Sequence, residues 1–261
     1  KVNQSRVFYD SDSILLYNRS RTIEGIALNL IPGERGLYYA DPRGNLPGEI
    51  HYIDLEPSIA HNGPRLVHKT QETNLTRTIT QQGVKLINPH SVALDLVNRK
   101  LYWTDAGQRN YSDADGKVWR SNLDGTDAVC VLDRNLWDPT GLVLDLRNYS
   151  MIVLDEKLHD HGAVIKANMG YEAEIRAKAE MNGIKLNIYD WYRNQTWLQE
   201  IASTYDASSH GGDKYEKVKR PYGIVHDVVN DMILWTDAGT GHVVRSDVHG
   251  MHGAETPKAY M

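Results

Sequence analysis

Two short runs of apolar residues, alternating with polar ones, flank a polar turn between Val92 and Asp105. The first is Val92-Ala93-Leu94 and the second Leu101-Tyr102-Trp103, with Val97-Asn98-Arg99-Lys100 between them. Period-two alternation on both sides of a short turn predicts a β-hairpin. The pattern recurs at Gly141 to Asp155, at Gly223 to Asp237, and at Gly25 to Asp41 with two more residues in the turn. Each copy continues into further strand-like segments: Gly48 to Leu55; Gly116 to Gly125, then Ala128 to Leu132; Gly162 to Gly170, then Ile175 to Ala179; and Gly241 to Gly250. One unit is therefore four short antiparallel strands with a turn after each. The last residues of the hairpins, Asp41, Asp105, Asp155 and Asp237, are spaced by 64, 50 and 82 positions, the last being twice 41. A period of ~40–45 residues with four strands per unit is the pattern of a β-propeller.

The expected fold is all-β: a six-bladed β-propeller of four-stranded antiparallel blades, one domain over residues 1–261. The fifth unit is expected between residues 180 and 218, in degraded form, with Thr196 to Glu200 as its second strand. Arg6 to Tyr9 and Ile14 to Tyr17 read as two strands of a sixth blade. Pairing the two chain ends would cover the edge strands of the ring. The extra length between Pro57 and Leu86 is expected as a lid or outer loop.

Tyr102-Trp103-Thr104-Asp105 is a complete Y-W-T-D motif, and Leu234-Trp235-Thr236-Asp237 nearly so. Tyr38 to Asp41 and Ile152 to Asp155 keep mainly the aspartate. With these phased copies the chain resembles the Y-W-T-D propeller family, the low-density-lipoprotein-receptor class B repeats, over most of residues 21 to 250. The resemblance implies that the aromatic residues pack between blades and that the aspartate bonds to backbone and fixes its blade. The receptors carry cysteine-rich modules after the propeller, and this sequence has none. Its irregular, sequon-rich repeats are more similar to secreted fungal propellers. Some of those resemble cyclases of secondary metabolism that promote hetero-Diels–Alder reactions, a likeness of fold only.

Composition narrows the function classes. A net charge of −5 argues against nucleic acid, and no apolar run is long enough for a membrane helix. Cys130 is the single cysteine, so no internal disulfide forms. It lies in the apolar run Ala128 to Leu132, which predicts a buried, inert thiol. Asn3, Asn18, Asn74, Asn110, Asn148 and Asn194 each open an N-x-S/T triplet. About two would arise by chance at ordinary composition. Six point to a glycoprotein that is secreted or lies in the lumen of the secretory pathway.

Chemistry in a propeller is expected at the mouth of the central channel, ringed by the segments leading into each inner strand. Those segments are Pro89-His90-Ser91, Trp137-Asp138-Pro139-Thr140 and Pro221-Tyr222-Gly223. His90, Trp137, Thr140 and Tyr222 occupy similar phases and are expected to converge on a small, largely apolar organic ligand. His90 and Tyr222 are the candidate catalytic pair, as acid/base group and hydrogen-bond donor. Trp137, Thr140, His161 and His242 are the candidate substrate contacts. Asp113, Asp115, Glu156, His159 and Thr240 lie in neighbouring loops. Asp113-x-Asp115-Gly116 lacks the remaining ligands of a calcium loop and reads as a turn. No metal site and no cofactor is expected. No nucleophile elbow, phosphate loop or zinc-protease motif occurs.

The function expected from these residues is a metal-independent cyclisation, pericyclic or dehydrative, in the central pocket. Such a reaction needs shape and a polarising donor rather than a nucleophile. Two alternatives stand beside it. One is a secreted, non-enzymatic scaffold that binds a protein or glycan. The other is a lactonase or hydrolase similar to the metal-dependent six-bladed enzymes, for which Glu24 is a candidate ligand.

Overall fold

The computed structural model of the chain describes residues 22–42, 47–55, 72–108, 114–157, 161–169, 198–203, 218–248 and 258–260. These form four antiparallel sheets of four strands each, in a propeller arrangement. The first contains β1 (Ile26–Asn29), β2 (Gly36–Asp41), β3 (Glu49–Asp54) and β4 (Glu72–Asn74), followed by helix α1 (Thr76–Gln81). The second contains β5 (Pro89–Asp95), β6 (Lys100–Asp105), β7 (Gly116–Asn122) and β8 (Val129–Leu136). The third contains β9 (Pro139–Asp145), β10 (Ser150–Lys157), β11 (His161–Asn168) and β12 (Leu198–Ser203). The fourth contains β13 (Pro221–Asp227), β14 (Met232–Asp237), β15 (His242–Asp247) and β16 (Lys258–Tyr260). The inner strands β1, β5, β9 and β13 neighbour one another in that order.

The inner hairpins of the second, third and fourth sheets turn in the same way. Asp95, Asp145 and Asp227 accept the backbone N–H of Asn98, Asn148 and Asn230, and take a second bond from the same asparagine's side chain. The next residues, Arg99, Tyr149 and Asp231, have φ of 56°, 52° and 57°. That left-handed step is uncommon for non-glycine residues and is held here by the aspartate–asparagine clamp.

Three apolar clusters fill the three gaps between the four sheets. Tyr38, Ala40 and Ile50 meet Val92, Leu101 and Trp103 in the first gap, with Ile79 of α1 capping it. Tyr102, Val118 and Leu136 meet Met151, Val153 and Ile165 in the second. Ile152, Leu154 and Val164 meet Ile233, Trp235 and Val244 in the third. Alternation thus sends Tyr102 forward to the next sheet and Trp103 back to the previous one, as period two requires.

Several expectations change. Four blades are described where six were expected. Thr196 to Glu200 does not open a fifth blade: Leu198–Ser203 pairs with β11 as the outer strand of the third sheet. That place had been assigned to Ile175 to Ala179, which lie outside the described residues, as do the N-terminal strand candidates. The stretch between Pro57 and Leu86 supplies β4 and α1 rather than only a loop. Outer strands carry little apolar alternation, so periodicity locates them poorly. Among the described residues no helix is long and apolar enough to cross a membrane.

Candidate functional site

The motif aspartates act as anchors for the lead-in segments. Asp105 accepts the N–H of Ile87 at 2.9 Å and Asn88 at 2.8 Å. Asp155 accepts those of Trp137 and Asp138, both at 2.9 Å, and Asp237 those of Lys219 and Arg220 at 2.8 and 3.1 Å. Pro89, Pro139 and Pro221 then sit opposite these aspartates, and the strand register shifts just beyond each proline. The shift is a bulge, and a bulge re-aims the side chain it carries. The residues it carries are His90, Thr140 and Tyr222. Thr104 and Thr236 support it by accepting the N–H of Ser91 and Gly223, each at 3.0 Å.

The re-aimed side chains meet residues from neighbouring sheets. Tyr222 Oη donates to Glu24 Oε2 at 2.8 Å, a contact between residues 198 positions apart. The Nδ1 of His90 lies against the same oxygen, and its Nε2 is 3.9 Å from Asp138 Oδ1. Thr140 Oγ1 donates to the carbonyl of Pro221 at 2.7 Å. Each of the four sheets therefore contributes one lead-in residue to a single polar group: Glu24, His90, Asp138 and Tyr222. His90 is buried, Glu24 and Asp138 are about four-fifths covered, and Tyr222 remains 47% exposed.

Of the four residues expected to converge, His90 and Tyr222 meet through Glu24, and Thr140 bonds to the residue before Tyr222. Trp137 joins through its backbone N–H on Asp155, with a half-covered side chain. His242 stands opposite Asp237 in the strand register. His161 opens β11, and its side chain is not described. Glu156 accepts from Arg220 Nε at 2.9 Å. Asp115 accepts the N–H of Gln108 at 2.9 Å. Thr240 bonds through its N–H to Asp237 at 3.0 Å. Asp113, His159, Asn3, Asn18, Asn110 and Asn194 lie outside the described residues. Burial pushes the Cys130 thiol up to about 11, so it is protonated and unreactive at neutral pH.

Asp138 escaped the sequence reading as a site residue, and Glu24 appeared there only as a metal-ligand candidate. Their places differ: Asp138 lies seventeen residues before its motif aspartate, as Asn88 and Arg220 do, whereas Glu24 lies two residues before the start of its ladder, the place of His90 before Val92 and of Tyr222 before Ile224. Chemically, the group has an acid/base imidazole and a phenol, both already engaged with one carboxylate oxygen. Its evident work is to tie the lead-in segments of different sheets together.

Comparison with known proteins follows this geometry. Residues 99–146 match the low-density lipoprotein receptor repeat class B. That stretch runs from the second sheet's hairpin turn into the third sheet's first strand. The chain is 27% identical over 150 residues to protein cueball of Drosophila willistoni, covering 58% of this chain and 20% of that protein. It is 22% identical over 240 residues to protein cueball of Drosophila grimshawi, covering 86% of this chain and 36% of that protein. The chain thus spans between a fifth and about a third of these relatives' length. Among solved structures, it superposes on a chain of a nidogen/laminin complex with a TM-score of 0.58 at 18% identity. The match covers 92% of this chain and 64% of the other. This likeness is one of fold.

Proposed function

We propose that the chain is a non-enzymatic scaffold of the secretory pathway or extracellular space that binds a protein partner. The observation that carries this reading is a repeated one. Every inner hairpin turn holds an exposed aliphatic side chain: Leu30 in the first sheet, Val97 in the second, Leu146 in the third, and Val229, 89% exposed, in the fourth. These side chains lie one or two residues past the end of each inner strand, on the side opposite the lead-in segments. Apolar residues arrayed on one exposed face mark an interaction surface. The resemblance to nidogen/laminin and the class B match support this reading. The secretory location rests on the sequons and on the receptor-like repeat.

A second reading has one observation in its favour. His90 and Tyr222 share Glu24, as a cyclase of the kind expected from sequence would require of a cooperating acid/base pair and donor. One comparison separates the two. The chain, a variant with Val97→Asp, Leu146→Asp and Val229→Asp, and a His90→Ala variant are each applied to a panel of purified extracellular proteins. The scaffold reading expects a binder that the triple variant loses by at least tenfold and that His90→Ala retains. A binder indifferent to the triple variant, or substrate turnover abolished by His90→Ala, overturns it.

A further inference from the structure

We propose that Asp41, Glu49 and His51 form a binding site for one divalent cation of the zinc class on the first sheet. In the register of β2 and β3, Asp41 stands opposite Glu49 and Tyr39 opposite His51. Period-two alternation places all four on one face, the face turned away from the second sheet, since Tyr38, Ala40 and Ile50 point into the first gap. The donor atoms of Asp41, Glu49 and His51 lie within 4.8 Å of one another. His51 Nε2 is 2.9 Å from Glu49 Oε2. The imidazole stacks on Tyr39 with ring centres 4.8 Å apart and 9° between planes, which fixes its orientation. Asp41 and His51 are each 1% exposed.

The other three sheets supply an internal comparison. Opposite their motif aspartates stand Lys117, Ala163 and His242. At the places matching His51 stand Trp119, Ile165 and Val244. Only the first sheet carries both a carboxylate and an imidazole there. Its lead-in differs too. Elsewhere the residue after the aspartate donates its N–H to the lead-in segment, as Ala106, Glu156 and Ala238 do. In the first sheet that residue is Pro42, which has no N–H. The β1–β2 ladder begins at Ile26 and Tyr39, just past the place where the other three sheets carry their bulge.

An imidazole nitrogen with two carboxylate oxygens is a three-ligand set of the zinc type, leaving a fourth position for water or a partner's side chain. Calcium prefers six to eight oxygen ligands, and the imidazole offers none. This inference does not rest on the scaffold reading.

The test titrates the chelator-stripped full chain with Zn²⁺ alone by calorimetry. One site per chain is expected, with Kd weakened at least tenfold in His51→Ala and in Glu49→Gln and unchanged in His226→Ala. Ca²⁺ at equal concentration is expected not to compete. Co²⁺ should give visible d–d absorption in the parent that His51→Ala abolishes. If His51→Ala fails to fold by circular dichroism, Glu49→Gln decides. Absence of Zn²⁺ binding in the parent, or binding indifferent to the folded variants, overturns the site.

Discussion

At the scale of single residues, the Y-W-T-D motif resolves into four separate physical tasks. Tyr102 packs forward and donates Oη to the carbonyl of Met169 at 3.0 Å, and burial raises its phenol well above the ordinary range. Trp103 packs backward, fully buried, with Trp119 stacked at 6.4 Å. Thr104 accepts the N–H of the bulge, and Asp105 anchors the lead-in segment. Trp103→Ala is expected to cost about 3–5 kcal/mol, the range for a large buried aromatic. A chemical-denaturation curve that superposes on the parent's would show that the first gap does not depend on it. Thr104→Val keeps the volume but leaves the Ser91 N–H without its acceptor. It is expected to cost about 1–3 kcal/mol, against under 1 kcal/mol for the same change at Thr80, which is exposed on α1. Packing of the aromatics and anchoring by the aspartate were implied by the resemblance to the Y-W-T-D repeats, whose phased copies the sequence carries. The bulge was not. It inserts a single residue at the very start of the inner strand, leaving too little strand before it for a change of phase to show.

At the scale of the element, the hairpin turn links charge to pH. The Asp227 carboxylate is held below the ordinary carboxylate range, first by the Asn230 side chain and then by backbone N–H groups. Its ionised form is therefore the one the folded turn favours. The sign follows from that. The contribution is present above the unfolded value near pH 4 and is lost as pH falls through the lowered folded value. Asn230→Ala should raise the Asp227 value toward the ordinary one and flatten acid destabilisation below pH 4. Direct titration of the Asp227 carboxyl by NMR checks this, and an unchanged value would remove Asn230 from the account. The same geometry sorts the two described sequons. Asn148 Nδ2 donates to Asp145 at 2.7 Å as part of the clamp, which Asn98 and Asn230 repeat outside any sequon. Asn74 uses Oδ1, accepting from the Thr76 N–H at 2.9 Å, and its side chain is exposed. Glycan occupancy in a eukaryotic secretory host is expected at Asn74 and not at Asn148. Peptide mass mapping after N-glycosidase treatment reads both, and occupancy of Asn148 alone would invert the assignment. The hairpins themselves were fully legible from alternation. The outer strands β4 and β12 were not, because the edge of a blade buries too little to impose a pattern.

At the scale of the whole molecule, blade count and axial contacts depend on one another. Six blades were expected from four phased copies, a degraded fifth unit between residues 180 and 218, and a sixth blade begun by the N-terminal strand candidates. β3 and β4 pair although Asp54 and Glu72 lie 18 positions apart, and β11 and β12 pair although Asn168 and Leu198 lie 30 apart, so chain length does not count blades. Four sheets have three filled gaps among the described residues, and the faces turned outward at either end carry exposed aliphatics: Ile26 and Leu28 on the first sheet, Val225 and Val243 on the fourth. Among the described residues, the polar group at the lead-in segments joins those two end sheets. The Tyr222–Glu24 bond spans them directly. His90 holds the carboxylate from the second sheet. Tyr222 and Glu24 are therefore expected to be energetically coupled despite their separation in sequence. A double-mutant cycle with Tyr222→Phe and Glu24→Gln isolates that term. Glu24→Gln alone should cost more than Tyr222→Phe, because it also weakens the contact with the buried His90. With Tyr222 nearly half exposed, solvent screens the pair, and the expected coupling is about 0.5–1.5 kcal/mol. A cycle that closes to zero would mean that the fourth sheet does not meet the first through this bond. The axial group would then reduce to the His90–Glu24 contact between the first two sheets. The cyclase reading would lose its pairing of His90 with Tyr222, while the turn-face scaffold would be untouched.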